Sequence, residues 1–159
     1  RPAPVVTSSA PAKPQPTGPD YLLVDGYNVI FAWDELRKMA ETNLDAARRR
    51  LMDILCNYAG YKRCVPILVF DAYKVRGGTR EVEKHHNLYV VYTQEAETAY
   101  MYIERTTHEL AKDHRPRVVS SDGAEQIIVL GNGALRVSAR ASAEEVAAVE
   151  KEIRAFLQN

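Results

Sequence analysis

Two cysteines, Cys56 and Cys64, are all that 159 residues contain, with no Cys-x-x-Cys and no histidine at metal-ligand spacing beside them. That excludes a disulfide-stapled scaffold and a thiolate zinc site, and it predicts two free thiols in a reducing compartment. Long apolar runs are missing as well. Nothing approaches the roughly 20 residues that cross a bilayer, and no charged, apolar, small-residue succession reads as a secretory signal. The expectation is a cytoplasmic protein without a membrane partner. Net charge is also absent, at 21 basic against 21 acidic residues, so bulk electrostatics does not single out a nucleic-acid binder. Of the four histidines, His85 and His86 are adjacent and would diverge by about 100° on a helix. His108 and His114 have no ligand partner by spacing, so histidine acid–base chemistry has no support. No G-x-G-x-x-G or G-x-x-x-x-G-K follows any strand-like run, and Asp25 has no second Asp two residues on. A nucleotide-binding or phosphatase α/β domain is disfavoured on those grounds.

What is present is ordinary globular material: 46% hydrophobic and 26% charged residues, long enough for one domain with its own core. Residues 1–19 stand apart. They hold six of the eight prolines and almost no large apolar side chain, and such a segment cannot bury enough surface to offset its ordering entropy. It reads as a disordered Pro-rich linker preceding a domain over 20–159. Because the chain opens on Arg1, the linker predicts fusion to a larger upstream protein. Arg1 and Lys13 are its charged residues, so the remainder carries 19 bases against 21 acids, two negative charges net.

From Tyr21 onward, strand-like and helix-like patterns alternate. "YLLV" (21–24), "PILVF" (66–70), "LYVVY" (88–92) and "RVVS" (117–120) are short, apolar on both faces and rich in β-branched or aromatic residues, as parallel strands covered on both sides should be. Pro66 suits only the start of its strand. Apolar spacing predicts helices over 44–59, over 95–112 and from a Ser142–Glu145 capping box onward. "LGNGALRVSA" (130–139) reads as a turn and a fifth strand. Alternation of this kind means helices packed on a mainly parallel sheet.

Acids recur at the ends of these strands. Asp25 closes the first, Asp71 follows the second, Glu97 comes a few residues after "LYVVY" in the expected first turn of a helix, and Asp122 follows "RVVSS". Ligands bind outside the carboxyl ends of parallel strands, so four acids from four strand ends would converge in one crevice. Each has a plainer role: an Asp there often caps a helix, and Glu97 would complement a helix dipole. Four together repel unless a cation lies among them, and an oxygen-only set suits Mg²⁺ or Mn²⁺ rather than zinc. The matching chemistry is phosphodiester hydrolysis, with Asn28 supplying an amide to bound water or phosphate.

"LLVDGYNVI", "LVFDA", "EAETA", "SSDGAEQ" and "GNGALRVSAR", in order and over Tyr21 to the end, together resemble the YacP-like branch of the NYN domains, a family of PIN-like ribonucleases. The resemblance implies a PIN-like three-layer α/β/α sandwich, Mg²⁺- or Mn²⁺-dependent endoribonuclease activity, and messenger RNA cleaved in a ribosomal context. It places Asp25, Asp71, Glu97 and Asp122 in the catalytic, metal-binding set, with Asn28 beside them. Relatives commonly read E-T-A-D where this chain reads "ETAY", so Tyr100 stands where another acid is expected. The alternative is therefore a catalytically weakened RNA- or ribosome-binding module of the same fold.

For holding RNA, "AYKVRGGTREVEKHH" (72–86) supplies Tyr73, Lys74, Arg76 and Arg80, with Arg136 and Arg140 as a second set. Basic side chains beside an acidic centre would hold the strand being cut, and Tyr73 would stack on a base. The plainer reading of 80–84 is a solvated helix face, and the Arg48, Arg49, Arg50 run reads as the exposed side of its own helix.

Overall fold

The computed structural model describes residues 20–71, 80–120 and 135–158, without the side chain of Arg136. In chain order the elements are β1 (Asp20–Asp25), α1 (Gly26–Ala32), α2 (Asp34–Thr42), α3 (Leu44–Lys62), β2 (Cys64–Phe70), β3 (Glu81–His85), β4 (Leu88–Tyr92), α4 (Ala99–Leu110), β5 (Arg117–Val119), β6 (Leu135–Val137) and α5 (Ala139–Leu157). The six strands form one sheet in the order β3-β4-β2-β1-β5-β6. Every pairing is parallel except the β3–β4 hairpin. The expected α/β architecture with a mainly parallel sheet is what the chain adopts.

Alternation along the strands sorts the core into two layers. Leu22, Val24, Leu68, Phe70, Val90 and Val119 pack into one cluster with α1, α2, α3 and α5. Leu23, Val69, Val91 and Val118 pack on the opposite face against Ala99 and Ile103 of α4. That is the three-layer arrangement, with α4 on the second face among the described residues. No helix among the described residues is long and apolar enough to cross a membrane.

Several boundaries differ from the sequence expectation, each for a local reason. Pro66 is the third residue of β2, not the first. It sits where β2 has β1 as its neighbour, since β4 joins only from Ile67 onward, and there a missing N–H leaves the second ladder intact. The last helix starts earlier than the Ser142–Glu145 box because Ser138 caps it, accepting from the Ala141 N–H at 3.0 Å. Glu145 is spent elsewhere: it accepts the Tyr58 hydroxyl at 2.6 Å, joining α5 to α3. Residues 81–85 are a wholly exposed antiparallel edge strand rather than a helix face, because the His86–Asn87 turn folds them back on β4; His86 takes a φ of 57°. The histidine pair is thereby split between strand and turn, and His85 meets Glu83 at 3.1 Å. The arginine run is also not uniformly exposed. Arg48 is mostly buried, donating to the Tyr27 hydroxyl at 3.0 Å and pairing with Asp45.

Burial, then the hydrogen bond to Glu145, pushes the Tyr58 phenol up to about 12 from an ordinary 10.0. A raised pKa means that this stabilisation is complete below pH about 10 and disappears as pH rises through about 12. Tyr58→Phe is expected to lower stability by about 1.5 kcal/mol and to flatten the alkaline limb, read as urea midpoints against pH. An unchanged midpoint at neutral pH would remove the Tyr58–Glu145 bond from the account.

Candidate active site

The strand order puts β4, β2, β1 and β5 side by side and parallel, so their carboxyl ends form one continuous edge. Glu97, Asp71, Asp25 and Asp122 follow those four strands in that spatial order. Asp122 lies outside the described residues, as do Tyr73, Lys74 and Arg76 and the side chain of Arg136. Arg140 is described at the start of α5, highly exposed and 3.8 Å from Glu144. It lies in the first turn of the helix that follows the carboxyl end of β6, the strand paired in parallel beside β5.

Alternation also sets the face. Leu23 and Val69 point to the α4 side, and Asp25 and Asp71 lie two residues further along the same strands, so both continue on that side. The contacts agree: Asp71 Oδ1 accepts from the Ala99 N–H at 2.6 Å, at the first residue of α4. A carboxylate there also complements the positive end of the helix dipole. Asp25 is 8% exposed and caps α1, its Oδ1 accepting from the Asn28 N–H at 3.4 Å. Both acids thus perform the capping role weighed from sequence, on the same face of the sheet. In-register pairing of Val24 with Val119 places Asp25 beside buried Ser120, the last described residue before the segment that carries Asp122.

Glu97 is not in the first turn of a helix. α4 begins at Ala99 behind Thr98, whose side chain accepts from the Met101 N–H. Glu97 occupies a tight turn instead: its N–H reaches the Gln94 carbonyl at 2.9 Å, its carbonyl takes the Thr93 hydroxyl at 2.7 Å, and Ala96 holds a φ of 73°. A non-glycine residue in that region is strained. The turn drives the Glu97 carboxylate inward, where its side chain is 4% exposed.

Two arginines meet it there. Arg80 donates Nε to Oε1 at 3.0 Å and Nη2 to Oε2 at 2.5 Å, and Arg105 donates Nη2 to Oε2 at 2.7 Å. Burial alone would raise the pKa of Glu97, but the hydrogen bonds and charges of Arg80 and Arg105 outweigh it and hold the carboxyl below its usual range. Arg80, expected to face RNA as a solvated cation, is therefore half engaged inside the site. Arg105 was missed. It lies mid-helix without a motif, and the only trace in the sequence is its eight-residue separation from Glu97, about two helical turns.

Among the described residues no three His, Cys, Asp or Glu side chains are gathered to hold a metal ion. The donors that are present nonetheless fit a hard divalent cation in chemistry. Asp25 and Asp71 are carboxylates on neighbouring strands and one face, and neither cysteine is near them: Cys64 begins β2 at the far edge, and Cys56 lies on α3. Glu97 fits as a third donor only when its two guanidinium partners are elsewhere. Tyr100, where a further acid was expected, is half-buried in the first turn of α4.

Residues 22–159 match the model of the YacP-like NYN domain. The chain is 38% identical over 135 residues to the Bacillus subtilis (strain 168) protein YacP, itself described as uncharacterized, a match covering 84% of this chain and 79% of that one. The crystal structure of Rae1 (YacP) from Bacillus subtilis superimposes with a TM-score of 0.76 at 36% identity, covering 87% of this chain and 80% of the other. A point mutant of the same protein gives 0.76 at 35% identity, covering 87% and 82%.

Proposed function

This chain belongs to the YacP-like NYN domain family, with which a nuclease-like, RNA-related function goes, and we propose that it is a metal-dependent endoribonuclease acting on messenger RNA in a ribosomal context in the cytoplasm. One observation supports the reading: in the strand order β4-β2-β1-β5 the parallel strands that Glu97, Asp71 and Asp25 follow lie side by side, with their carboxyl ends on one edge. When bound, Mg²⁺ or Mn²⁺ would orient and activate the attacking water and neutralise charge building on the phosphate. The chain's own contribution is to position. Asp25, Asp71 and Asp122 hold the ion, and Glu97 completes the set. Asn28, half-buried beside Asp25, offers an amide to water or phosphate. Lys74, Arg76, Arg80, Arg136 and Arg140 hold the RNA backbone, Tyr73 stacks on a base, and residues 1–19 tether the domain to an upstream partner.

Tyr100 favours the second reading, an RNA- or ribosome-binding module that no longer cuts. The two part on one experiment: cleavage of end-labelled RNA by the purified chain in Mn²⁺, in Mg²⁺ and in EDTA, beside Tyr100→Asp. Under the leading reading the wild type cuts, EDTA stops it, and the added carboxylate tightens Mn²⁺ about tenfold or more through its extra charge. Cleavage seen only in Tyr100→Asp would make the natural chain a binder. Cleavage undiminished in EDTA would overturn metal dependence altogether.

A further inference from the structure

Among the described residues the cluster around Glu97 contains two cations for one anion, and the metal-site reading accounts for neither. We infer that Arg80 and Arg105 form a phosphate clamp which the Glu97 carboxylate holds in place until an RNA phosphodiester takes its position. The inference rests on the endoribonuclease reading for its ligand and adds to the metal-binding acids two arginines, of which Arg105 has no role in that reading.

Three observations support it. First, among the described residues the charges do not balance: one carboxylate faces two guanidiniums, which leaves an excess positive charge beyond the end of β4. An RNA strand lying along the carboxyl edge of the sheet would meet this charge first. Second, the arginines are held but not hidden. Their guanidinium carbons lie 5.5 Å and 5.7 Å from the centre of the Tyr102 ring, and that aromatic face orients them. Yet the Arg80 and Arg105 side chains are 34% and 54% exposed, against 4% for Glu97. Glu97 takes two N–H groups from Arg80 and one from Arg105, whereas each guanidinium carries five. Third, the geometry is transferable. A phosphodiester presents two non-bridging oxygens to the same paired N–H groups that now grip two carboxylate oxygens.

The exchange has a consequence at Glu97. While the clamp grips the carboxylate, two guanidinium charges occupy the place a divalent ion would need. When phosphate draws them away, the buried carboxylate is left requiring a cation. RNA and metal binding are thereby coupled, and coupling is reciprocal. Tyr102 keeps both arginines beside the site, and the strained Ala96 turn keeps Glu97 in place, while the guanidiniums change partner.

The test uses the full chain with Arg105→Met and Arg105→Lys. Arg80 still neutralises Glu97 in both, so folding is preserved, and thermal melts verify it. Affinity for fluorescently labelled single-stranded RNA is measured by anisotropy in EDTA, where no cleavage occurs. Arg105→Met is expected to bind about three- to tenfold more weakly, with a salt slope shallower by about 0.7 to 1. Arg105→Lys should keep the slope and recover only part of the affinity, because the forked geometry is gone. In RNA-free solution, Mn²⁺ titrated by electron paramagnetic resonance should bind Arg105→Met about three- to tenfold more tightly than wild type, within the usual range of coupling. Wild-type RNA affinity and salt slope in Arg105→Met would overturn the clamp, and so would unaltered Mn²⁺ affinity. Loss of Mn²⁺ binding in neither Asp25→Asn nor Asp71→Asn would instead sink the metal-site reading, leaving the anisotropy result to judge the clamp alone.

Discussion

Asp25→Asn is expected to cut Mn²⁺-dependent RNA cleavage by roughly 10²–10³-fold or more, the loss typical when one preorganised charged or dipolar group leaves a water-poor site. The fold should survive, and the reason lies in the local structure. Asp25 caps α1 by accepting the Asn28 N–H, and asparagine caps a helix about as well as aspartate. The side chains are nearly isosteric, so the 8% exposed pocket is refilled without a cavity. Removing one of several like charges also relieves repulsion when no cation is bound. Activity and stability should therefore separate. Single-turnover cleavage of labelled RNA falls, while the unfolding free energy read from urea titration changes by less than about 1 kcal/mol. Cleavage within threefold of wild type would show that the ion does not need the β1 acid.

Gly26→Ala should do the opposite, damaging the fold first and activity through it. A Cβ at position 26 would lie 2.3 Å and 2.5 Å from Cε1 and Cδ1 of Phe70 and 3.0 Å from Cζ. Phe70 is fully buried and cannot swing aside. Its ring is 4.9 Å from that of Tyr27 and 5.7 Å from that of Tyr92. Overpacking of this kind costs about 1–3 kcal/mol, a fall of about 2–4 °C in Tm per kcal/mol for a chain of this length. The strain is badly placed for function as well. Phe70 precedes Asp71, and its carbonyl accepts the Thr93 N–H at 3.0 Å, so a shifted ring displaces both the β2 acid and the turn that carries Glu97. Adding Phe70→Leu should restore part of the stability, because the two changes share one contact and will not add. By contrast, a methyl group on Gly60 in α3 would meet nothing within 4 Å, and alanine there should gain about 0.5–1 kcal/mol. Equal effects at the two positions would mean that the Phe70 contact is not what matters.

Elements whose signal is local and repetitive were legible in the chain. The four apolar runs became β1, β2, β4 and β5 because a run apolar on both faces has only the middle of a layered sheet in which to sit. The family blocks were legible for the same kind of reason, as contiguous residues of fixed type. What escaped was settled by competition between distant groups. The helices α1 and α2 were not foreseen; α1 depends on Asp25 for its cap, and their junction is tied to α5 through the Trp33 indole donating to the Ala139 carbonyl at 2.7 Å. The Ser142–Glu145 box failed because Ser138 stood one turn earlier and Tyr58 claimed Glu145. Residues 81–85 carry mostly charged side chains and no apolar alternation, so nothing in their pattern marked a strand. The pairing with β4 made them one.

At the site the division is sharper. Types and spacing alone suggested the acids and the hard-cation chemistry proposed for them, because ligand preference is a property of side chains wherever they sit. The tertiary structure decided which strand ends are neighbours, through an order that no stretch of sequence spells out. It also decided how Glu97 is held: Arg80 and Arg105 come from either side of it in sequence and meet on a carboxylate buried by a single strained turn. Charge identity is written residue by residue, whereas charge partnership is a matter of proximity, and proximity exists only once the chain has folded.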